Sequence, residues 1–181
     1  MTEISYPSAL IGISICWIFM RMAFCIAARR VSIRREAQLL LVYFCLIVIA
    51  RFTFFPFGTV NGSIRPLLFD PARMLPPRIN LIPFVYLFDY PTRSEALLNL
   101  IGNTAMFLPV GIIWPTVFRA LNTPSRVIAA GAGFTLAIEL LQLPFFDRVT
   151  DIDDLILNLT GYMLGWCIVM LVRACRKKAS E

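Results

Sequence analysis

The chain has 181 residues, 59% of them hydrophobic and only 15% charged, with a mean hydropathy of +0.76, whereas soluble domains carry about 45–50% apolar and about 25% charged residues. That composition speaks against a water-soluble globular fold, and the formal charge of +6 does not make a nucleic-acid reader, which gathers its basic residues on one wet face. No histidine is present, which removes Ser/His/Asp and Cys/His nucleophilic chemistry, zinc sites of His type and phospho-histidine schemes.

A hydrocarbon core about 30 Å thick asks for roughly 20 mainly apolar residues per helix. Residues 8–28 are the first stretch that qualifies. Only Glu3 precedes it and Arg29 and Arg30 follow it, so it reads as a retained anchor and not as a signal peptide. Residues 38–57 are the second. The segment 58–95 then carries six prolines, Pro66, Pro71, Pro76, Pro77, Pro83 and Pro91, and regular structure is not expected over most of it. Near its end, Asn80-Leu81-Ile82-Pro83-Phe84-Val85-Tyr86-Leu87-Phe88 is too short to span and too apolar for an exposed loop. An interfacial or partly re-entrant segment fits, with a membrane-surface anchor of Phe and Tyr as the plainer alternative. Residues 96–118, where Pro109 and Pro115 predict a kink, residues 127–143 and residues 155–172 complete five spans. The fold class is all-α: a polytopic transmembrane helical bundle forming a single membrane domain over residues 1–181.

Basic residues close to a span resist translocation. Arg29, Arg30, Arg34 and Arg35 lie between spans one and two, Arg119 and Arg126 between three and four, and Arg173, Arg176, Lys177 and Lys178 after span five. All three segments fall on one side, which predicts the N-terminus outside, the C-terminus inside, and segments 58–95 and 144–154 on the outer face. The inner segments then hold a net +8, the outer segments −3 and the intramembrane residues +1. The basic balance is thus an orientation signal. No inner segment is long enough to fold alone, so any chemistry lies outside or within the bilayer. The five cysteines, Cys16, Cys25, Cys45, Cys167 and Cys175, show no ligand spacing and read as small packing residues.

An ionisable group in a span costs about 2.5–3.5 kcal/mol on insertion scales, so each needs a partner or a purpose. Arg21 lies eight residues before Arg29 and reads as snorkelling towards the inner boundary. Arg51 and Glu139 each lie a few residues inside the outer boundary and are expected to pair or to join one polar cluster. Asn99 and Asn103 are four apart, Glu139 and Gln142 three apart, so each pair shares a helix face. In the last span Asp151, Asp154, Asn158, Gly161 and Gly165 advance by three or four residues and form one stripe. Its glycines are a small-xxx-small contact for another backbone, and Asp151 with Asp154 suits a helix N-cap. Capping does not account for Asn103, Glu139 or Asn158, which sit deeper. Convergence of these side chains at one depth points to a binding or catalytic site, with hydrogen-bond glue between helices as the alternative.

The pattern Asn80-Leu81-Ile82-Pro83-Phe84, Asn99-x-x-x-Asn103 with Phe107-Leu108-Pro109-Val110-Gly111, Glu139-x-x-Gln142, and Arg148-x-x-Asp151-x-Asp153-Asp154-x-x-x-Asn158-x-x-Gly161-x-x-x-Gly165 resembles the VanZ-like family of bacterial membrane proteins, over residues 38–172. The resemblance implies a multi-pass protein of the bacterial cytoplasmic membrane. It also raises a role in resistance to teicoplanin, a lipid-tailed glycopeptide, since the family is named for a protein that accompanies glycopeptide resistance clusters.

The expected site comprises Arg51, Arg78, Asn80, Asn99, Asn103, Glu139, Gln142, Arg148, Asp151, Asp153, Asp154 and Asn158. On the first reading it binds the head group of an envelope lipid, a lipid-linked precursor or a lipoglycopeptide, with Arg51, Arg78 and Arg148 facing phosphate or carboxylate. The alternative is a membrane enzyme acting on a lipid-linked envelope substrate through a carboxylate base or a divalent metal, for which Glu139, Asp151 and Asp154 are weak candidate ligands. No cofactor is expected. Membrane lipids are expected partners, and an accessory or transporter role would need a homo-oligomer or membrane partner, for instance through Gly161 and Gly165 or Gly131 and Gly133.

Overall fold

The computed structural model describes residues 1–29, 31–55, 59–60, 62–85 and 92–180. Five helices carry the fold: α1 (Tyr6–Ala28), α2 (Ile33–Phe54), α3 (Arg93–Val117), α4 (Pro124–Gln142) and α5 (Ile152–Lys178). Each is long and apolar enough to cross a membrane. The protein is therefore an all-α, multi-pass membrane protein. The expected spans are found with shifted ends. α2 starts five residues early because the polar run Arg34-Arg35-Glu36 continues the helix beyond the apolar stretch, and α5 likewise runs on through Arg176, Lys177 and Lys178. Pro109 and Pro115 do not end α3. Pro56 and Phe57, expected at the end of span two, and Arg30 and Glu181, assigned to the inner side, lie outside the described residues.

The proline-rich segment holds more order than its composition predicts. Short strands β2 (Thr59–Val60), β3 (Ser63–Ile64), β4 (Leu67–Phe69) and β5 (Ile79–Asn80) are separated by a 3-10 turn over Pro71–Met74. Pro66 directly precedes β4 and Pro71 opens that turn, positions where a missing N–H is not needed. β4 pairs antiparallel with β1 (Thr2–Ile4), and β5 pairs parallel with β6 (Thr150–Asp151).

The chain divides into two compact units. Unit 1 comprises Met1–Pro77 and Pro144–Arg148, with α1, α2 and the β1–β4 pair. α1 buries none of its residues and meets α2 along an antiparallel seam of polar rungs. The Arg51 guanidinium lies 5.6 Å from the Tyr6 ring centre, the Ser14 and Tyr43 hydroxyls are 2.7 Å apart, and Arg21 forms an ion pair with Glu36. From rung to rung the positions advance by eight and seven residues on α1 and fall back by the same steps on α2, close to two helical turns. Arg21 therefore does not rely on snorkelling. Its Nε and a terminal nitrogen donate to the two Glu36 oxygens at 3.0 and 2.5 Å. Between lipid-facing helices, where burial of apolar surface gives no net drive, such polar contacts and van der Waals packing set the pairing.

Unit 2 comprises Arg78–Leu143 and Val149–Glu181. α3 and α5 run parallel in near backbone contact. A Cβ on Gly161 would clash with the Thr104 carbonyl, one on Gly165 with the Leu108 carbonyl, and one on Gly111 with the Tyr162 carbonyl. The expected small-xxx-small contact is thus made within the chain, and the Gly161–Gly165 face is not available to a second copy. α4 buries Val127, Gly131, Thr135, Ile138, Glu139 and Gln142, and meets α5 and its N-cap through Gly131, Thr135 and Glu139. Of the cysteines only Cys45 is buried. Cys16, Cys167 and Cys175 are exposed on helix surfaces, contrary to a packing role, and Cys25 sits beside the Arg21–Glu36 pair.

Candidate functional site

The start of α5 organises one end of unit 2. Asp151 is its N-cap: the extended backbone there frees the carboxylate to accept from the Asp153 N–H at 2.9 Å, one of the donors that a helix start leaves without a carbonyl. Asp153 and Asp154 fill the first turn, facing the positive end of the helix dipole. Each of these acids also holds a different piece of chain. Asp151 accepts from Asn80 Nδ2 at 3.0 Å, Asp153 from the Phe84 N–H at 2.8 Å, and Asp154 from Asn103 Nδ2 on α3 at 2.6 Å. Asn103 reaches back one turn towards Asn99 Oδ1 at 3.5 Å, the weakest link of the set.

The Asn80 side chain closes a local turn by accepting from the Ile82 N–H at 3.1 Å. Phe84 takes a positive φ of 59°, a conformation that costs a non-glycine residue energy and is held here by Asp153. The result is a short apolar loop in which Leu81, Ile82, Phe84 and Val85 are exposed while the backbone is fastened to the side chains of Asn80 and Asp153. Tyr86, Leu87 and Phe88, the remainder of the expected interfacial segment, lie outside the described residues, as does Pro91.

One layer further in, Glu139 on α4 is 2% exposed. Its Oε2 accepts from the Asp151 N–H at 3.0 Å and its carbonyl accepts from the Thr150 hydroxyl at 2.9 Å, so the end of α4, strand β6 and the start of α5 are tied at one residue. Gln142 lies one turn along the same face and is buried at 5%. Arg78 supplies a backbone carbonyl to the Thr150 N–H at 3.1 Å, while its residue as a whole is exposed. Deeper still, Asn158 Nδ2 donates to Thr135 Oγ1 at 3.0 Å, both residues being almost completely buried.

Arg51 and Arg148 belong to unit 1. Arg148 donates from Nε and a terminal nitrogen to the Phe54 carbonyl, at 3.0 and 2.8 Å, and Arg51 donates to the Phe55 carbonyl at 3.2 Å. Both therefore cap the C-terminal end of α2, where carbonyls lack intrahelical donors and the dipole favours cations. Of the expected site residues, unit 2 thus joins Asn80, Glu139, Asp151 and Asp153 through one set of hydrogen bonds and Asn99, Asn103 and Asp154 through a second, both meeting at the start of α5, adds Asn158 as a deeper rung, and carries Arg78 immediately before strand β5.

No three His, Cys, Asp or Glu side chains among the described residues are grouped to hold a metal ion. The weak candidate ligands Glu139, Asp151 and Asp154 instead each accept from an N–H. Thr135, Thr150 and Tyr162 escaped the sequence reading. Thr135 is four residues before Glu139 and Tyr162 four after Asn158, so extending the same helix faces by one turn finds both.

The network runs through the order Asn80, Asn103, Glu139 and Asp151 to Asn158, and the sequence model of the VanZ/LLP1 family matches residues 40–173. The chain belongs to the VanZ/LLP1 family. The matched region contains the whole of α3 and α4 and most of α2 and α5, with every site residue named above; α1 lies outside it. No curated protein and no solved structure matches the chain. The VanZ/LLP1 region therefore contains the polar network in full, and the polar seam of unit 1 attaches to it a helix that the family model does not include.

Proposed function

We propose that this VanZ/LLP1 protein binds an amphiphile of the bacterial envelope, an envelope lipid or a lipoglycopeptide such as teicoplanin, at the polar end of unit 2, on the outer face of the cytoplasmic membrane. The observation that carries the reading is the fastening of an exposed apolar loop to a polar network: Asp153 holds the Phe84 N–H and Asp151 holds Asn80. Both halves of an amphiphile meet complementary chemistry there. Leu81, Ile82 and Phe84 offer contact to an acyl tail, while the Asn99 and Asn103 amides and the carboxylate edges offer hydrogen bonds to hydroxyl and amide groups of a head, and Arg78, an exposed residue, adds positive charge for phosphate. Binding to such a molecule is also how the protein would contribute to glycopeptide resistance.

The test is equilibrium binding of a fluorescent polyprenyl phosphate and of a fluorescent lipoglycopeptide to the full chain in nanodiscs. Arg78→Ala and Leu81→Ser are expected to weaken one or both ligands by about tenfold, which corresponds to about 1.4 kcal/mol, while Arg126→Ala at the other end of α4 leaves binding as it was. Unchanged affinity in both site variants overturns the proposal.

A further inference from the structure

Inward of the Asn103–Asp154 contact, Asn158 Oδ1, the Tyr162 hydroxyl and Trp114 Nε1 are each buried without a hydrogen-bond partner among the described residues. Asn158 and Tyr162 are 1% and 0% exposed and stand four residues apart, on one face of α5. Trp114 comes from α3 and sets its ring edge-on to Tyr162 at 6.2 Å and 81°. The packing makes room for Tyr162: a Cβ on Gly131 of α4 would lie 2.5 Å from the ring's Cδ1. A phenol is therefore accommodated in an apolar core at the expense of a side chain on the facing helix, yet its hydroxyl finds no partner among the described residues. Asn158 is oriented by its bond to Thr135, with Nδ2 as donor, which leaves its carbonyl oxygen as an acceptor.

Buried polar groups are nearly always hydrogen-bonded, to protein or to ordered water. The three atoms are chemically mixed. Asn158 Oδ1 only accepts, Trp114 Nε1 only donates, and the tyrosine hydroxyl does both. A cation would face the indole N–H, and an anion would face the amide oxygen. Water serves both senses, and buried waters make about three such bonds each.

We infer that the core formed by α3, α4 and α5 binds internal water on Asn158 Oδ1, the Tyr162 hydroxyl and Trp114 Nε1. A hydrated polar column then continues inward from Asp154 to Tyr162, eight residues or about 12 Å along α5. This inference does not depend on which amphiphile the polar end takes, or on whether it takes one.

Radiolytic hydroxyl-radical labelling of the full chain in nanodiscs tests it, because radicals formed from a bound water attack the residue beside it before they diffuse. Tyr162 is expected to be modified many-fold faster than Phe107, which is equally buried at 0% exposure. A Tyr162 rate as low as that of Phe107 overturns the inference. Tyr162→Phe supplies an independent sign test, since it removes the hydroxyl alone. Loss of a water-bonded hydroxyl lowers the melting temperature by about 2–4 °C, whereas loss of an unbonded one leaves it unchanged or raises it. An unchanged or raised melting temperature also overturns the inference.

Discussion

Glu139 and the three acids at the start of α5 illustrate what a membrane protein asks of a polar residue. Each would be expensive in hydrocarbon, and each is offset by donors from chain that must in any case be positioned: the Asp151, Asp153 and Phe84 N–H groups and the amides of Asn80 and Asn103. The opposite device appears two to three turns along α5, where the absence of a side chain is what matters. Gly161 faces the Thr104 carbonyl with no room for a methyl group, while Gly133 on α4 faces open space. Gly161→Ala is therefore expected to destabilise the protein by about 1–3 kcal/mol or more, because two backbones must part. Gly133→Ala is expected to be neutral or stabilising by up to about 1 kcal/mol, from helix propensity alone. Thermal unfolding in detergent checks the pair, and equal effects in both variants would remove the backbone contact from the account.

The elements differ in how they are held. α3 and α5 are joined by close backbone approach, α4 by a mixed stripe of small, apolar and polar residues, and α1 by rungs of polar contact to α2 with no buried residue of its own. The Arg21–Glu36 pair closes the end of that seam farthest from Tyr6 and Arg51, with side chains 22% and 33% exposed. Arg21→Glu alone is expected to loosen α1, seen as a loss of disulfide crosslinking between cysteines introduced on the facing sides of α1 and α2. The exchange Arg21→Glu with Glu36→Arg is expected to recover most of it, since the pair's charges are then restored in reversed order. Recovery no better than the single variant would mean that the pair is incidental. Heptad-like spacing made this seam accessible to sequence reading only after its partner was known. Arg21, Ser14 and Tyr6 lie on one face of α1, but nothing in their spacing selects Glu36, Tyr43 and Arg51 as their counterparts.

At the scale of the whole molecule, the distribution of Lys and Arg predicts which way the five spans face. In a chain with its native cysteines replaced, a membrane-impermeant thiol reagent is expected to label Thr92→Cys in intact cells and Ser180→Cys only after permeabilisation. The reverse pattern would invert the topology and move the polar end of unit 2 to the cytoplasm. The sequence by itself determined the five helices and their approximate limits, because a bilayer demands long apolar runs and accepts few substitutes for the helix. It also determined the N-cap of α5 and the shared faces of Asn99 with Asn103 and of Glu139 with Gln142, because helical periodicity fixes which residues of one helix stand together. Only the tertiary structure decided what stands opposite each face: α3 against Gly161 and Gly165 where a second copy was open, Glu36 against Arg21, an amide or backbone N–H against every acid of the site, and the end of α2 against Arg51 and Arg148. Spacing acts along a single helix, whereas the choice of partner depends on which backbones can approach closely and which donors and acceptors then come within about 3 Å of one another.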